Sequence, residues 1–91
     1  MNTVSTTIKI QNKHGIHARP SAYFVKIASQ YKSSVIVEKN EFKVDGKGIM
    51  DLMTLEAGCG DTIKIVAKGE DAQQVIDALT VLINNKFGFE E

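Results

Sequence analysis

The chain has 91 residues, and its 11 basic and 11 acidic side chains give a formal net charge of zero at pH 7. This balance argues against nucleic acid as the main partner, because duplex binding draws most of its affinity from excess positive charge. No apolar run approaches the ~18 residues of a membrane span, so we expect no membrane insertion. The length predicts one domain over residues 1–91. The single cysteine and the lack of a signal-peptide pattern in residues 1–7 predict a cytoplasmic protein.

Seven segments of the chain have the periodicity of a strand or a helix. In chain order they are a strand over 4–10, a helix over 20–31, strands over 35–38 and 42–44, a short helix over 49–53, a strand over 62–68 and a long helix after Gly69. The two central strands are close enough in sequence to form a hairpin, so the sheet is at least partly antiparallel. Three helices with one apolar stripe each would cover one face of the sheet, which predicts a two-layer α+β domain of order βαββαβα.

Residues 15–20 lie where a polar loop meets the first helix. Pro20 fits the first turn of a helix, so the cap is Arg19, unless the helix begins a turn earlier, at His17. A helix start presents unpaired backbone N–H groups and a partial positive charge, which favour a bound anion. Histidine is a nucleophile that stays partly neutral at physiological pH, so His17 can accept a phosphoryl group and release it again.

The neighbours of His17 favour the same chemistry. Arg19 can pair with phosphate oxygens through its planar guanidinium, and Gly15 allows a positive φ or a close approach of the backbone. We therefore expect His17 and Arg19 to be the catalytic residues of a transient phosphohistidine site. The expected phosphate-binding residues are Ala18 and Arg19 at the helix start. No cofactor is needed, because positioning and charge stabilisation do most of the work in phosphoryl transfer.

Two other interpretations of this region stay open. His17 is also consistent with a surface histidine that caps a helix. The spacing of His14 and His17, together with Cys59, allows a zinc or copper site, although two loop ligands and a distant cysteine are a weak signal. We expect no metal, and we interpret His14 as a solvated loop side chain and Cys59 as an inert free thiol.

The short helix carries four large apolar side chains, more than it can easily bury. In one interpretation all four belong to the core. In the other, Leu52 belongs to the core and the remaining three form a partly exposed patch that docks a partner, since methionine suits adaptable recognition surfaces. The residues of this docking patch are Ile49, Met50 and Met53.

The sequence Gly-Ile-His-Ala-Arg-Pro at 15–20 and the sequence Lys-Gly-Ile-Met-Asp-Leu-Met at 47–53 resemble the HPr family. These are the histidine phosphocarriers of the bacterial phosphoenolpyruvate-dependent phosphotransferase system, and the likeness extends over nearly the whole chain. The resemblance implies an HPr-like open-faced sandwich: a four-stranded antiparallel sheet with three helices on one face. It implies that Arg19 is the active-site arginine and that the patch on the short helix docks partners.

The resemblance also implies a function. His17 would take a phosphoryl group on Nδ1 from phosphorylated enzyme I and pass it to an enzyme II A domain in a system for sugar uptake. The protein would be a monomeric carrier rather than an enzyme. Many Gram-positive relatives have a regulatory serine where this chain has Gly48, so we do not expect phosphorylation by the kinase that acts on that serine.

Other functional classes stay open. The tail over 84–91 resembles the tails of nitrogen-related paralogues called NPr, so the alternative is a regulatory phosphocarrier of a nitrogen-related phosphotransferase system that acts mainly by partner binding. A non-catalytic regulatory module that uses the docking patch is a second rival. A metal-trafficking domain that uses His14, His17 and Cys59 is a third.

Overall fold

A computed structural model describes residues 2–88, and residues 89–91 of the tail lie outside the described residues. The elements are β1 (Thr3–Lys9), α1 (Ala18–Ala28), β2 (Ser34–Lys39), β3 (Phe42–Asp45), α2 (Ile49–Met53), β4 (Thr62–Lys68), α3 (Ala72–Asn84) and a 3₁₀ turn over Lys86–Gly88. The predicted order βαββαβα is confirmed. Among the helices formed by residues 2–88, none has the length and apolar character of a membrane span.

The four strands form one antiparallel sheet in the order β1-β4-β2-β3. Side chains alternate across it, and in β4 the buried residues Ile63, Ile65 and Ala67 point away from exposed lysines. The buried strand face packs against the apolar stripes of the helices, so the predicted two-layer α+β sandwich is confirmed. In α3 the buried stripe consists of Ala72, Val75, Ile76, Leu79 and Ile83.

The first helix differs from its prediction at both ends. It begins at Ala18 with His17 as the N-cap, so the earlier of the two predicted starts is correct and a cap at Arg19 is wrong. It ends at Ala28, whereas the apolar spacing predicted helix up to Tyr31. The N–H of Tyr31 donates to the Ala28 carbonyl at 3.3 Å in a tighter turn, and its side chain still packs against the core. The apolar period therefore continues past the point where the helix stops.

The register of β1 and β4 defines two ends of the molecule. Lys9 pairs with Thr62 at one end, and Thr3 pairs with Lys68 at the other. Because α1 follows β1, it begins at the first of these, which we call the His17 end. Because α3 follows β4, it begins at the other end, where Thr3 pairs with Lys68. We call this the Asp71 end, because Asp71 is the N-cap of α3.

Candidate functional site

His17 begins α1 through its backbone. It has an extended conformation (φ −101°, ψ −164°), its carbonyl accepts the Ser21 N–H at 3.0 Å, and its side chain makes no capping hydrogen bond. The next two amides, of Ala18 and Arg19, lie in the first turn, where an α-helix supplies no carbonyl acceptors. No acidic side chain lies in this turn. The helix start therefore keeps its capacity to bind an anion.

The His17 ring is partly exposed, and two other side chains mark its surroundings. The ring of His14 lies edge to face with it, with 6.0 Å between the ring centroids and an interplanar angle of 78°. The guanidinium carbon of Arg19 lies 5.9 Å from the centroid of the Tyr23 ring, one helical turn further on. This distance is within the range of a cation–π contact, which holds the arginine along the first turns of α1.

Gly15 has both properties expected of it. Its φ is +68°, and an added Cβ would collide with the carbonyl oxygen of Ala57 and the Cα of Gly58. The N–H of Ile16 donates to the same Ala57 carbonyl at 2.8 Å. The backbone before His17 thus lies directly against the 57–61 loop, and only glycine permits this approach.

Asn12 closes the loop that leads to His17, and nothing in the apolar periodicity marks it. It is fully buried, its Nδ2 donates to the Gly15 carbonyl at 2.6 Å, and the Gly15 N–H donates to the Asn12 carbonyl at 3.1 Å. Residues 12–15 therefore form a tight turn with two reciprocal hydrogen bonds. The signal that could have found Asn12 is its type, since asparagine three residues before a glycine is typical of such turns.

The 57–61 loop is itself braced by an ion pair. The Lys39 ammonium lies 3.0 Å from Asp61 Oδ2 and donates to the Glu56 carbonyl at 2.9 Å. Asp61 Oδ2 also accepts the Gly58 N–H at 2.8 Å, and this bond, followed by Lys39, lowers the pKa of the Asp61 carboxyl. The brace connects β2 through the 57–61 loop to Gly15, so it fixes the backbone that carries His17.

The side chains of α2 are divided between the core and the surface, as in the interpretation that predicts a docking patch. Leu52 is fully buried, whereas Ile49, Met50 and Met53 are exposed by 41%, 75% and 36%. The helix packs beside α1. The docking patch is therefore on the surface, and its contact with a partner stays a prediction.

The rings of His14 and His17 face each other, but the three side chains of the metal interpretation do not form one cluster. Within residues 2–88 no cluster of three His, Cys, Asp or Glu side chains could hold a metal ion. Cys59 is an exposed free thiol whose Sγ lies 3.7 Å from the Gln11 carbonyl oxygen, on the loop beside the turn.

The fold and the site together define a class of small α+β proteins with an open sheet, which present a histidine at a helix start instead of enclosing a substrate. Residues 4–85 match the family model described as the PTS HPr component phosphorylation site. The phosphocarrier protein HPr of Neisseria meningitidis serogroup A is 49% identical over 82 residues, which cover 90% of this chain and 92% of that protein.

A solved structure and a second type of relative extend the likeness. The crystal structure of HPr-C-His from Thermoanaerobacter tengcongensis matches with a TM-score of 0.93 and 45% identity, covering 97% of this chain and 99% of that one. The phosphocarrier protein NPr of Shewanella violacea is 32% identical over 87 residues, 96% of each chain. The chain belongs to the HPr family of phosphocarrier proteins of the phosphotransferase system.

Proposed function

We propose that this protein accepts a phosphoryl group on His17 from phosphorylated enzyme I and passes it to an enzyme II A domain of a system for sugar uptake. The observation that carries the proposal is the partly exposed His17 at the start of α1, followed by the first-turn amides and by Arg19 two residues further on. The family to which the chain belongs supports the same chemistry. We place the protein in the cytoplasm as a monomer.

The transfer proceeds between two histidines. The lone pair of neutral His17 Nδ1 attacks the phosphorus on the donor histidine, the new N–P bond forms as the donor's N–P bond breaks, and the donor ring keeps the electron pair. The amides of Ala18 and Arg19 and the Arg19 guanidinium stabilise the charge on the three equatorial oxygens in a loose transition state. The onward step is the same exchange with the acceptor's histidine as attacking group.

The first turn suits a carrier rather than a permanent phosphate site. Its amides and one arginine attract a dianion, and the arginine is exposed, so solvent weakens its hold. Moderate binding allows the phosphoryl group to leave again. The docking patch on α2 lies beside α1, which supports a modest, transient interface of about 1,200 Å² or less with each partner in turn.

Reconstitution tests this function. The protein is incubated with phosphoenolpyruvate and enzyme I, and phosphorylation is followed by an acid-labile mass increase located on His17 by peptide mapping. We expect labelling of the wild type and of His14→Ala, and none of His17→Ala. Folding of each variant is checked by circular dichroism. Equal labelling of wild type and His17→Ala would remove the assignment.

The NPr relative favours a second candidate, a regulatory phosphocarrier of a nitrogen-related system. The two candidates share the chemistry at His17 and differ in their partners. Rates of transfer to enzyme II A domains of the sugar type and of the nitrogen type separate them. A preference of tenfold or more for the nitrogen-type acceptor and its enzyme I would replace sugar uptake with regulation, as would a regulator that binds the unphosphorylated protein through the docking patch.

A further inference from the structure

The spacing of His14 and His17 is built into the backbone. His14 lies near the tip of the 12–15 turn, which the two hydrogen bonds between Asn12 and Gly15 close. Gly15 is fixed in turn against the carbonyl of Ala57. Since His17 caps a regular helix, both ends of this short segment are held. The fold of the turn therefore sets the backbone positions from which the two rings meet edge to face, with 6.0 Å between their centroids.

We propose that His14 is a phosphate-binding residue of this site, which takes up a proton when His17 is phosphorylated and pairs with the phosphoryl oxygens. This inference rests on the proposed function. A phosphoryl group on His17 extends beyond the imidazole ring by the length of the N–P bond and of the P–O bonds. With a separation of 6.0 Å between ring centroids, a group on the facing side brings its oxygens within reach of the imidazole N–H groups of His14.

The charged groups around the 12–15 turn are consistent with proton uptake by His14 when His17 is phosphorylated. The charged and titratable groups on the segments around the turn are Lys13, His17, Arg19, Cys59 and Asp61, the last of which is paired with Lys39. Within residues 2–88 no carboxylate lies within ion-pairing distance of His14. A phosphoryl group on His17 adds between one and two negative charges opposite the His14 ring, and a nearby negative charge favours a bound proton on an imidazole.

The consequence is a link between proton uptake and phosphoryl transfer. If the phosphorylated protein binds a proton at His14 more tightly than the unphosphorylated protein does, lowering the pH favours the phosphorylated protein over the phosphorylated donor. Raising the pH releases that proton and favours transfer to the acceptor. Each unit of difference between the two titration midpoints of His14 corresponds to a tenfold change in the transfer equilibrium.

Two variants isolate this effect. In His14→Asn the side chain keeps hydrogen-bonding capacity but never carries a charge, and in His14→Lys it carries a charge throughout the range. We expect NMR titration of the His14 ring protons to show a midpoint about one pH unit higher after phosphorylation of His17. Between about pH 8 and about pH 5.5, the equilibrium constant for transfer from enzyme I should rise about tenfold more in the wild type than in His14→Asn.

The lysine variant and a distant control complete the test. His14→Lys should show the pH profile of His14→Asn with a higher equilibrium constant at every pH. Lys64→Gln removes one positive charge from the outer face of β4 and should keep the wild-type profile. If His17 carries no phosphoryl group, the proposed function and this inference both fail. If His17 is phosphorylated but the midpoint of His14 stays in place, or His14→Asn keeps the wild-type profile, only the inference fails.

Discussion

The two ends of the molecule treat backbone amides in opposite ways. At the Asp71 end, the carboxylate accepts the N–H groups of Lys32 at 2.8 Å and Ser33 at 2.9 Å, as well as the Ser33 hydroxyl. The protein's own anion thus binds the amides where the chain enters β2. At the His17 end, the amides of the first turn of α1 have no acidic side chain beside them, and the N-cap side chain is a histidine.

The anion at the Asp71 end stabilises the fold, whereas the amides at the His17 end can bind a ligand. A carboxylate within the chain satisfies amides permanently and stabilises the connection between α1 and β2. The first turn of α1 has no acidic side chain, so its amides retain affinity for an anion that arrives and leaves. At the His17 end the backbone before the helix is positioned instead by the Asn12 turn and the Lys39–Asp61 brace.

The largest expected effect is that of Gly15→Ala at the His17 end. The new Cβ would meet the backbone of Ala57 and Gly58, which cannot move aside as a flexible side chain could, and φ of +68° adds its own strain. We expect a loss of about 3 kcal/mol or more in the free energy of unfolding, measured by urea denaturation. Phosphoryl acceptance should fall as well, because the backbone before His17 must shift.

Gly60→Ala is the matched control. Gly60 also has a positive φ, +92°, and lies on the loop that contacts Gly15, but nothing surrounds its missing Cβ within 4 Å. Only the backbone strain remains, so the expected cost is about 1–2 kcal/mol with little change in transfer. Similar losses for both variants would show that the close approach at Gly15 contributes nothing beyond its backbone conformation.

Arg19→Ala should slow transfer in both directions while the fold stays intact. The guanidinium is exposed, so its removal leaves no cavity in the core. Loss of one preorganised charge at the transition state corresponds to a reduction of about a hundredfold in rate. Quenched-flow measurement of transfer from phosphorylated enzyme I checks this rate, and urea denaturation checks the fold.

Arg19→Lys keeps the charge but loses the planar fork, so we expect it to recover only part of the rate. Normal rates for Arg19→Ala would contradict the role of the guanidinium.

A substitution in the docking patch should have a smaller effect, which is confined to the affinity for enzyme I. Met50 is 75% exposed on α2, so Met50→Asp should leave stability unchanged but place a charge in an apolar contact. We expect about tenfold weaker binding to enzyme I by titration calorimetry. Val81→Asp makes the same kind of change at a 60% exposed position of α3 and should bind normally. Equal weakening by both variants would indicate nonspecific charge repulsion instead of a patch on α2.

Local sequence patterns predicted the fold well, because most of its elements are determined by side-chain periodicity. The strand over 62–68 has the predicted bounds, and its alternation corresponds to the burial of Ile63, Ile65 and Ala67. The end of α1 was predicted too late because Tyr31 reaches the core from a turn, and an apolar period does not distinguish the two cases.

The site was only partly predictable. His17, Arg19 and Gly15 lie in one short stretch, so their types and spacing were sufficient to indicate a helix start with a histidine. The Asn12 turn, the Lys39–Asp61 brace and the ring contact of His14 depend on three-dimensional approach. Lys39 and Asp61 are on different elements, and no local pattern relates their positions. His14 is exposed, as the sequence predicts, but its ring contact with His17 depends on the geometry of the turn and has no local signal.

At the Asp71 end, we expect substitution of Asp71 to change the stability of the fold and to leave phosphoryl transfer unchanged. The Ser33 hydroxyl and the amides of Lys32 and Ser33 lower the pKa of the Asp71 carboxyl from 3.8 to about 2. Because the folded-state pKa is depressed, this carboxylate stabilises the fold above the pKa of the unfolded chain, and the contribution is lost as the pH falls from about 4 to about 2. Asp71→Asn should unfold more easily at neutral pH and lose less stability across that acid window.

Asp77→Asn is the control for that variant, since Asp77 lies on the same helix and accepts only the Gln73 amide at 2.8 Å among residues 2–88. It should keep the wild-type pH dependence, measured by thermal unfolding at a series of pH values. Transfer from enzyme I at neutral pH should be the same in both variants, because the anion at the Asp71 end belongs to the fold alone. A slower transfer in Asp71→Asn under conditions where it is fully folded would mean that the two ends are coupled, and that the division between a permanent anion and a transferable one is wrong.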